Sequence, residues 1–244
     1  MKDPIPLYKS YSRLTAINNP MDFTFIPDYH IPDLPLKRYV AQLPNDTYKD
    51  PQLQKILHNT LPLVEKAFGL ELLPTYSYLK KYKEGDILLP HRDRPACEYS
   101  VSLCIDTNTL YPFLLQYQGQ PVVYPFVMQP GQAVLYKGPV MRHWRPQLTK
   151  RIVHKWSGYE INVDQPYAYQ CLLHYVDKNG FYANQAGDVF IDVKNGVILP
   201  GEGGEEKYSS EGGTSGSAMK KMDPYADIDG DWQYHLSYMT DLGD

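Results

Sequence analysis

Apolar side chains change their spacing twice along the chain. Residues 1–48 show no sustained period. Pro4, Pro6, Pro20, Pro27, Pro32, Pro35 and Pro44 leave little room there for a long helix. Residues 23–26 and 38–41 are expected to form short strands. From Asp50 the spacing becomes helical, with Leu53, Ile56, Leu57, Leu61, Val64 and Phe68 on one stripe. Asp50 suits the N-cap, Pro51 the first helical position and Gly69 the stop, while Pro62 should kink or split the helix. After residue 70 the period falls to two. Tyr76, Tyr78, Lys80 and Tyr82 share one face, and Ser77, Leu79, Lys81 and Lys83 the other. A turn at Glu84, Gly85 and Asp86 follows. Further strands are expected over residues 99–105, 111–116, 121–128, 133–136, 141–145 and 167–176, with a hairpin-type break at 129–132. Many short strands with Gly/Pro turns and no intervening helical pattern predict a mainly β sandwich or barrel rather than βαβ units.

Four segments follow from these shifts: an N-terminal extension with its supporting helix (1–69), a β core (70–199), a Gly/Ser-rich linker (200–217) and an acidic mobile tail (218–244). Within the tail, Asp227, Asp229 and Asp231 resemble a calcium loop, but its glycine is misplaced and Tyr238 stands where the loop needs Glu. Charge adds exclusions. With 24 Lys+Arg against 28 Asp+Glu, the net charge is −4, so the chain lacks the basic footprint of a nucleic-acid binder. No apolar run approaches the roughly 18–20 residues that cross a bilayer, and the N-terminus lacks the apolar stretch of a secretion signal, so no membrane partner is expected. Cys97, Cys104 and Cys171 are odd in number and show no C-x-x-C spacing. Reduced thiols and a cytoplasmic location are expected.

The candidate chemistry lies in two stretches, one around His91-Arg92-Asp93 and one around His143-Trp144-Arg145. Two residues apart on a strand, His91 and Asp93 face the same way. With His143 they would supply the two-His, one-carboxylate set that holds Fe(II) on one side and leaves positions open. By spacing alone, a surface His-Arg-Asp turn is the commoner reading.

Context extends the pattern. Residues 76–86, followed by His91-Arg92-Asp93-Arg94-Pro95-Ala96-Cys97-Glu98-Tyr99-Ser100-Val101-Ser102, resemble the strand, turn, H-x-D and strand of iron(II)/2-oxoglutarate-dependent dioxygenases, closest to the prolyl 4-hydroxylase-like branch. Residues 129–138 resemble that family's Pro-Gly-Asp turn and the strand leading to its distal His. His143-Trp144-Arg145-Pro146 and residues 170–177 resemble the last two core strands. The resemblance covers about residues 70–183. It implies a double-stranded β-helix, or jelly roll, with Fe(II) on His91, Asp93 and His143. It also implies 2-oxoglutarate and O₂ as co-substrates, with ascorbate as an accessory. The expected reaction is hydroxylation of an unactivated C–H, in a prolyl residue of a peptide or else in a free amino acid or other small metabolite.

Family members usually anchor the distal carboxylate of 2-oxoglutarate on an Arg or Lys at the start of the final strand, but residues 167–176 contain neither. Arg145, two beyond His143, is the first candidate anchor, followed by Arg151 and Lys150. Tyr82, nine residues before His91, is by the same resemblance a candidate hydrogen-bond partner for the co-substrate, or else an aromatic packed in the barrel. Ser100, Ser102 and Cys104 share a strand face that could line the pocket. Arg94 could orient Asp93, meet substrate or form a rim salt bridge. His174 is expected to be a packed or hydrogen-bonded histidine, and residues 147–166 an insertion that could fold over the pocket. The displaced anchor keeps a second reading open, a non-catalytic β-helix module binding a peptide or sugar. A cupin-type metal isomerase is a third.

Overall fold

The computed structural model describes residues 22–30, 32–117, 120–154, 159–192 and 197–200. Two helices precede the core. α1 (Leu34–Gln42) starts where Asp33 Oδ1 accepts the Leu36 N–H at 2.8 Å. It contains residues 38–41, expected above as a strand. Leu36, Tyr39, Val40 and Leu43 recur at helical spacing and pack on the core, and Pro35 sits in the first turn, where its missing N–H costs nothing. α2 (Pro51–Phe68) is capped as expected. Asp50 Oδ1 accepts the Gln52 and Leu53 N–H groups, and Gly69 closes the far end at φ 70°. The helix runs uninterrupted through Pro62. Pro62 lies on the exposed face, as does His58, whose carbonyl loses its helical partner to the ring and can be hydrated instead.

The strands are β1 (Phe23–Ile26), β2 (Asp46–Tyr48), β3 (Leu72–Lys83), β4 (Leu88–His91), β5 (Tyr99–Thr107), β6 (Pro112–Tyr117), β7 (Val123–Val127), β8 (Ala133–Tyr136), β9 (Met141–Arg145), β10 (Arg151–His154), β11 (Tyr159–Asn162), β12 (Tyr167–Asp177), β13 (Val189–Asp192) and β14 (Val197–Pro200). Six form one antiparallel sheet in the order β1-β8-β5-β12-β3-β2, and four form a second in the order β4-β9-β6-β7. From β3 onward the chain passes repeatedly between the sheets, which face each other as a double-stranded β-helix. The hairpin β10-β11 occupies the expected insertion, and β13-β14 forms another hairpin. β1 and β2 extend the edges of the large sheet, on β8 and β3.

The period-two pattern has a direct physical outcome. On β5, Val101, Leu103 and Ile105 join the core under α2, with Leu79 of β3, Leu135 of β8 and Leu173 of β12. The alternate positions, Ser100, Ser102 and Cys104, turn toward the small sheet. There Cys104, Val134 and Tyr136 pack on Phe113, Leu115 and Met141. Among the described residues no helix is long and apolar enough to cross a membrane. Beyond Pro200, the linker and tail segments lie outside them.

Candidate active site

β4 and β9 are antiparallel neighbours, and their register sets His91 directly opposite His143, with ring centroids 4.3 Å apart. The chain then leaves the sheet edge, and the Asp93 N–H donates to the Gly138 carbonyl at 3.1 Å. This turn brings Asp93 Oδ1 to 3.6 Å from His91 Nε2 and 3.3 Å from His143 Nε2. The opposite ring nitrogens settle the tautomers. His91 Nδ1 lies 2.7 Å from the Leu89 carbonyl oxygen and His143 Nδ1 3.0 Å from that of Met141. A carbonyl can only accept, so each Nδ1 carries a proton and Nε2 is the nitrogen facing Asp93: the charged ring offers it a proton there, the neutral ring a lone pair to the space they share. With both rings neutral, two lone pairs and a carboxylate oxygen repel one another unless a cation sits between them. This N,N,O set suits a divalent transition metal such as Fe(II). Burial pushes the Asp93 carboxyl up, but the His143 and His91 imidazoles outweigh it and hold the group well below the usual carboxylate range. The rings of Tyr136 and Phe113 wall His143 at 4.8 and 5.6 Å.

Two residues along β9, Arg145 is 1% exposed. Its guanidinium donates to the Tyr111 carbonyl at 3.2 Å and to Ser102 Oγ at 3.1 Å, among the rings of Phe113, Tyr111 and Tyr82. No carboxylate among the described residues pairs with it. Burial pushes the Tyr82 phenol up to about 12, so it stays neutral and able to donate. The other two candidate anchors are not brought into the lumen. Lys150 pairs with Glu84 at 3.4 Å on the surface, and Arg151 is exposed at the start of β10.

Sequence reasoning missed two residues that shape the site. One is Gly138. A side chain there would put its Cβ 2.6 Å from Asp93 Oδ2 and closer still to the Cys97 carbonyl oxygen. Its signal, a glycine between two strands, reads only as a turn. The other is Asp188, which gives Arg94 its role. Arg94 grips both Asp188 oxygens, at 2.6 and 2.9 Å, and lies over the Tyr76 ring, while Tyr48 donates its hydroxyl to the same carboxylate. Asp188 is buried with φ at 51°, so no local pattern announced it. Burial raises the Asp188 pKa, but Arg94, Tyr48 and Lys49 together lower it below the ordinary value. The pair's stabilisation is therefore complete above the unfolded pKa of about 3.9 and is lost as pH falls through the folded one. Asp188→Asn should destabilise the neutral-pH protein by about 3 kcal/mol, the low end for a broken buried pair because Arg94 reaches solvent. The variant should also flatten the loss of stability below about pH 4. Urea denaturation across that range checks both.

His174, expected to be packed, is buried opposite Ser100 with its Nδ1 2.9 Å from Ser100 Oγ. Burial pushes its pKa down to about 4, so the ring is neutral. Asp93, Cys97 and His174 form a second cluster of potential metal ligands. Burial holds the Cys97 thiol up and Tyr76 Oη lies 3.0 Å from it, so no thiolate is available there.

No family model matches the chain, and no curated protein matches it. Solved structures do. An oxidoreductase of the 2OG-Fe(II) oxygenase family from Burkholderia pseudomallei superposes with a TM-score of 0.50 at 14% identity, over 70% of this chain and 92% of that one. A prolyl-4-hydroxylase from Pseudomonas putida gives 0.44 at 10% identity, over 68% and 97%. HygX from Streptomyces hygroscopicus, with nickel and 2-oxoglutarate bound, gives 0.45 at 11% identity, over 72% and 88%. The first of these likenesses is one of fold, and it agrees with the two-sheet topology.

Proposed function

We propose that this chain is an Fe(II)- and 2-oxoglutarate-dependent oxygenase that hydroxylates an unactivated C–H bond. The observation that carries the reading is a pairing on one strand. His143 presents its lone pair to a three-donor metal site, and Arg145, roughly 7 Å further along at two strand residues, is a buried cation with no carboxylate partner among the described residues. 2-Oxoglutarate has the matching ends, a keto acid that can chelate a metal and a distal carboxylate.

His91, Asp93 and His143 would hold the iron on one side and leave positions free. When bound, the metal supplies the redox chemistry by which O₂ and 2-oxoglutarate become succinate, CO₂ and one oxygen atom delivered to the substrate. The protein's own part is placement. Arg145 offers its guanidinium fork to the distal carboxylate, with Tyr82 beside it as a neutral phenol donor. Phe113 and Tyr136 pack against the His143 ring and hold it in place. By sequence resemblance, a prolyl residue in a peptide is the first choice of substrate, and a free amino acid or other small metabolite the second.

The test needs no substrate. Fe(II)-loaded protein given 2-oxoglutarate in air should form succinate slowly, and His143→Ala should form none. If the iron-loaded wild type makes no succinate, with or without ascorbate, the reading falls and a non-catalytic binding module takes its place.

A further inference from the structure

Only one oxygen of Asp93 faces the imidazoles. The other, Oδ2, points toward the large sheet, where Ser100 Oγ lies 3.3 Å away. Ser100 Oγ also sits 3.0 Å from the Cys97 carbonyl oxygen and 2.9 Å from His174 Nδ1. A hydroxyl has one proton to give. The carboxylate and the carbonyl can only accept. If His174 Nδ1 were bare, three acceptors would crowd one proton in a buried site, where unsatisfied lone pairs are costly. A proton on Nδ1 removes the conflict. His174 then donates to Ser100 Oγ, and the hydroxyl proton is free for the stronger acceptor, the ionised Asp93 Oδ2.

We infer that His174, acting through Ser100, is a positioning residue for Asp93, and that the relay His174 Nδ1–H to Ser100 Oγ–H to Asp93 Oδ2 fixes which carboxylate oxygen turns to the metal. The inference rests on the metal-centre reading above. Two further observations support it. His174 and Ser100 are directly paired across β12 and β5, and the Tyr76 ring at 4.5 Å packs against the imidazole, so the ring is held where it stands. On its other side Oδ2 meets Gly138, which has no side chain to hydrogen-bond, so Ser100 is its one hydrogen-bonding neighbour among the described contacts. Outer partners that orient ligands in this way typically change metal affinity 10- to 100-fold.

The experiment uses Co(II) as the probe and two variants. His174→Leu keeps the bulk and loses the donor, whereas His174→Asn returns an N–H to the place of Nδ1. By calorimetry His174→Leu should bind Co(II) about 10- to 100-fold more weakly and His174→Asn within about threefold of the wild type, with the visible Co(II) bands altered only in the former. In the metal-free protein, ¹⁵N spectra should show the His174 proton on Nδ1, assigned by its loss in either variant. Ser100→Ala against Ser100→Thr breaks and restores the same relay at its middle if the His174 variants fail to fold. Unchanged Co(II) affinity in His174→Leu, or a proton on Nε2, overturns the inference. A wild type that binds no Co(II) overturns the metal-centre reading instead, and the tautomer spectrum then decides the hydrogen-bond relay by itself.

Discussion

Arg145→Ala is expected to weaken 2-oxoglutarate binding by about 10²–10³-fold or more while leaving metal affinity nearly unchanged. The distal carboxylate would lie in a lumen lined by Phe113, Tyr111 and Tyr82, where an unpaired anion loses roughly 3–5 kcal/mol. At about 1.4 kcal/mol per decade, that is two to more than three decades. Arg145→Lys keeps the charge but not the fork that spans Ser102 and the Tyr111 carbonyl, so it should fall between. A buried cation without a carboxylate also burdens the ligand-free fold. Arg145→Met, of similar volume, should raise the melting temperature of the ligand-free protein while abolishing 2-oxoglutarate binding. Calorimetry on metal-loaded protein and thermal melts without ligand read the two effects separately. Normal 2-oxoglutarate binding by Arg145→Ala, together with weak binding by Lys150→Ala or Arg151→Ala, would move the anchor to the β10 segment.

The second large effect comes from a methyl group. Gly138→Ala puts a Cβ against Asp93 Oδ2 and against the backbone carbonyl of Cys97, which cannot rotate away. The Asp93 turn must shift, and the Asp93 N–H to Gly138 bond with it. A ligand carboxylate displaced by even about 1 Å is far outside the tolerance of such sites. Metal affinity should fall nearly as far as in His143→Ala, which removes a donor outright. Gly69→Ala is the control. Its glycine needs a special backbone, at φ 70°, but nothing lies within 4 Å, so it should cost about 1 kcal/mol of stability and leave metal binding intact. Metal titration of the three variants, with denaturation curves alongside, tests the steric argument. Undiminished binding by Gly138→Ala would refute it.

What could be read from the sequence was local. That His91, Asp93 and His143 come together was legible because the stretches around them resemble a known family in order; their spacing alone favoured a surface turn. Arg145 followed by counting two residues from His143. Asp50 and Gly69 bounded α2 through cap chemistry that depends on a few adjacent residues. Errors arose where a local rule met tertiary context. The prolines around residues 27–44 argued against a helix, but Pro35 sits in the one turn that tolerates it. Pro62 argued for a kinked or split helix, but α2 continues through it as one helix, with that side facing water. Other pairs far apart in the chain gave no sign that they would meet. Ser100 and His174 meet only through a register that includes bulges on β12, and Arg94 and Asp188 meet across 94 positions.

β4 is an edge strand. Its register pairs Leu88 with Arg145 and His91 with His143, is irregular between them, and Pro90 has no N–H to offer. Ile87 and Leu89, there and just before it, are each 41% exposed. On the proposed reading, a metal ion held by His91, by Asp93 just past the strand and by His143 on the neighbouring strand would be a clasp as well as a reaction centre. Without it the edge is free to fray, and a frayed apolar edge is a template for another chain's strand. Iron supply would then govern self-association as well as turnover: the protein made under iron starvation should be the form most prone to aggregate, and restoring the metal should protect the β4 amides from hydrogen exchange.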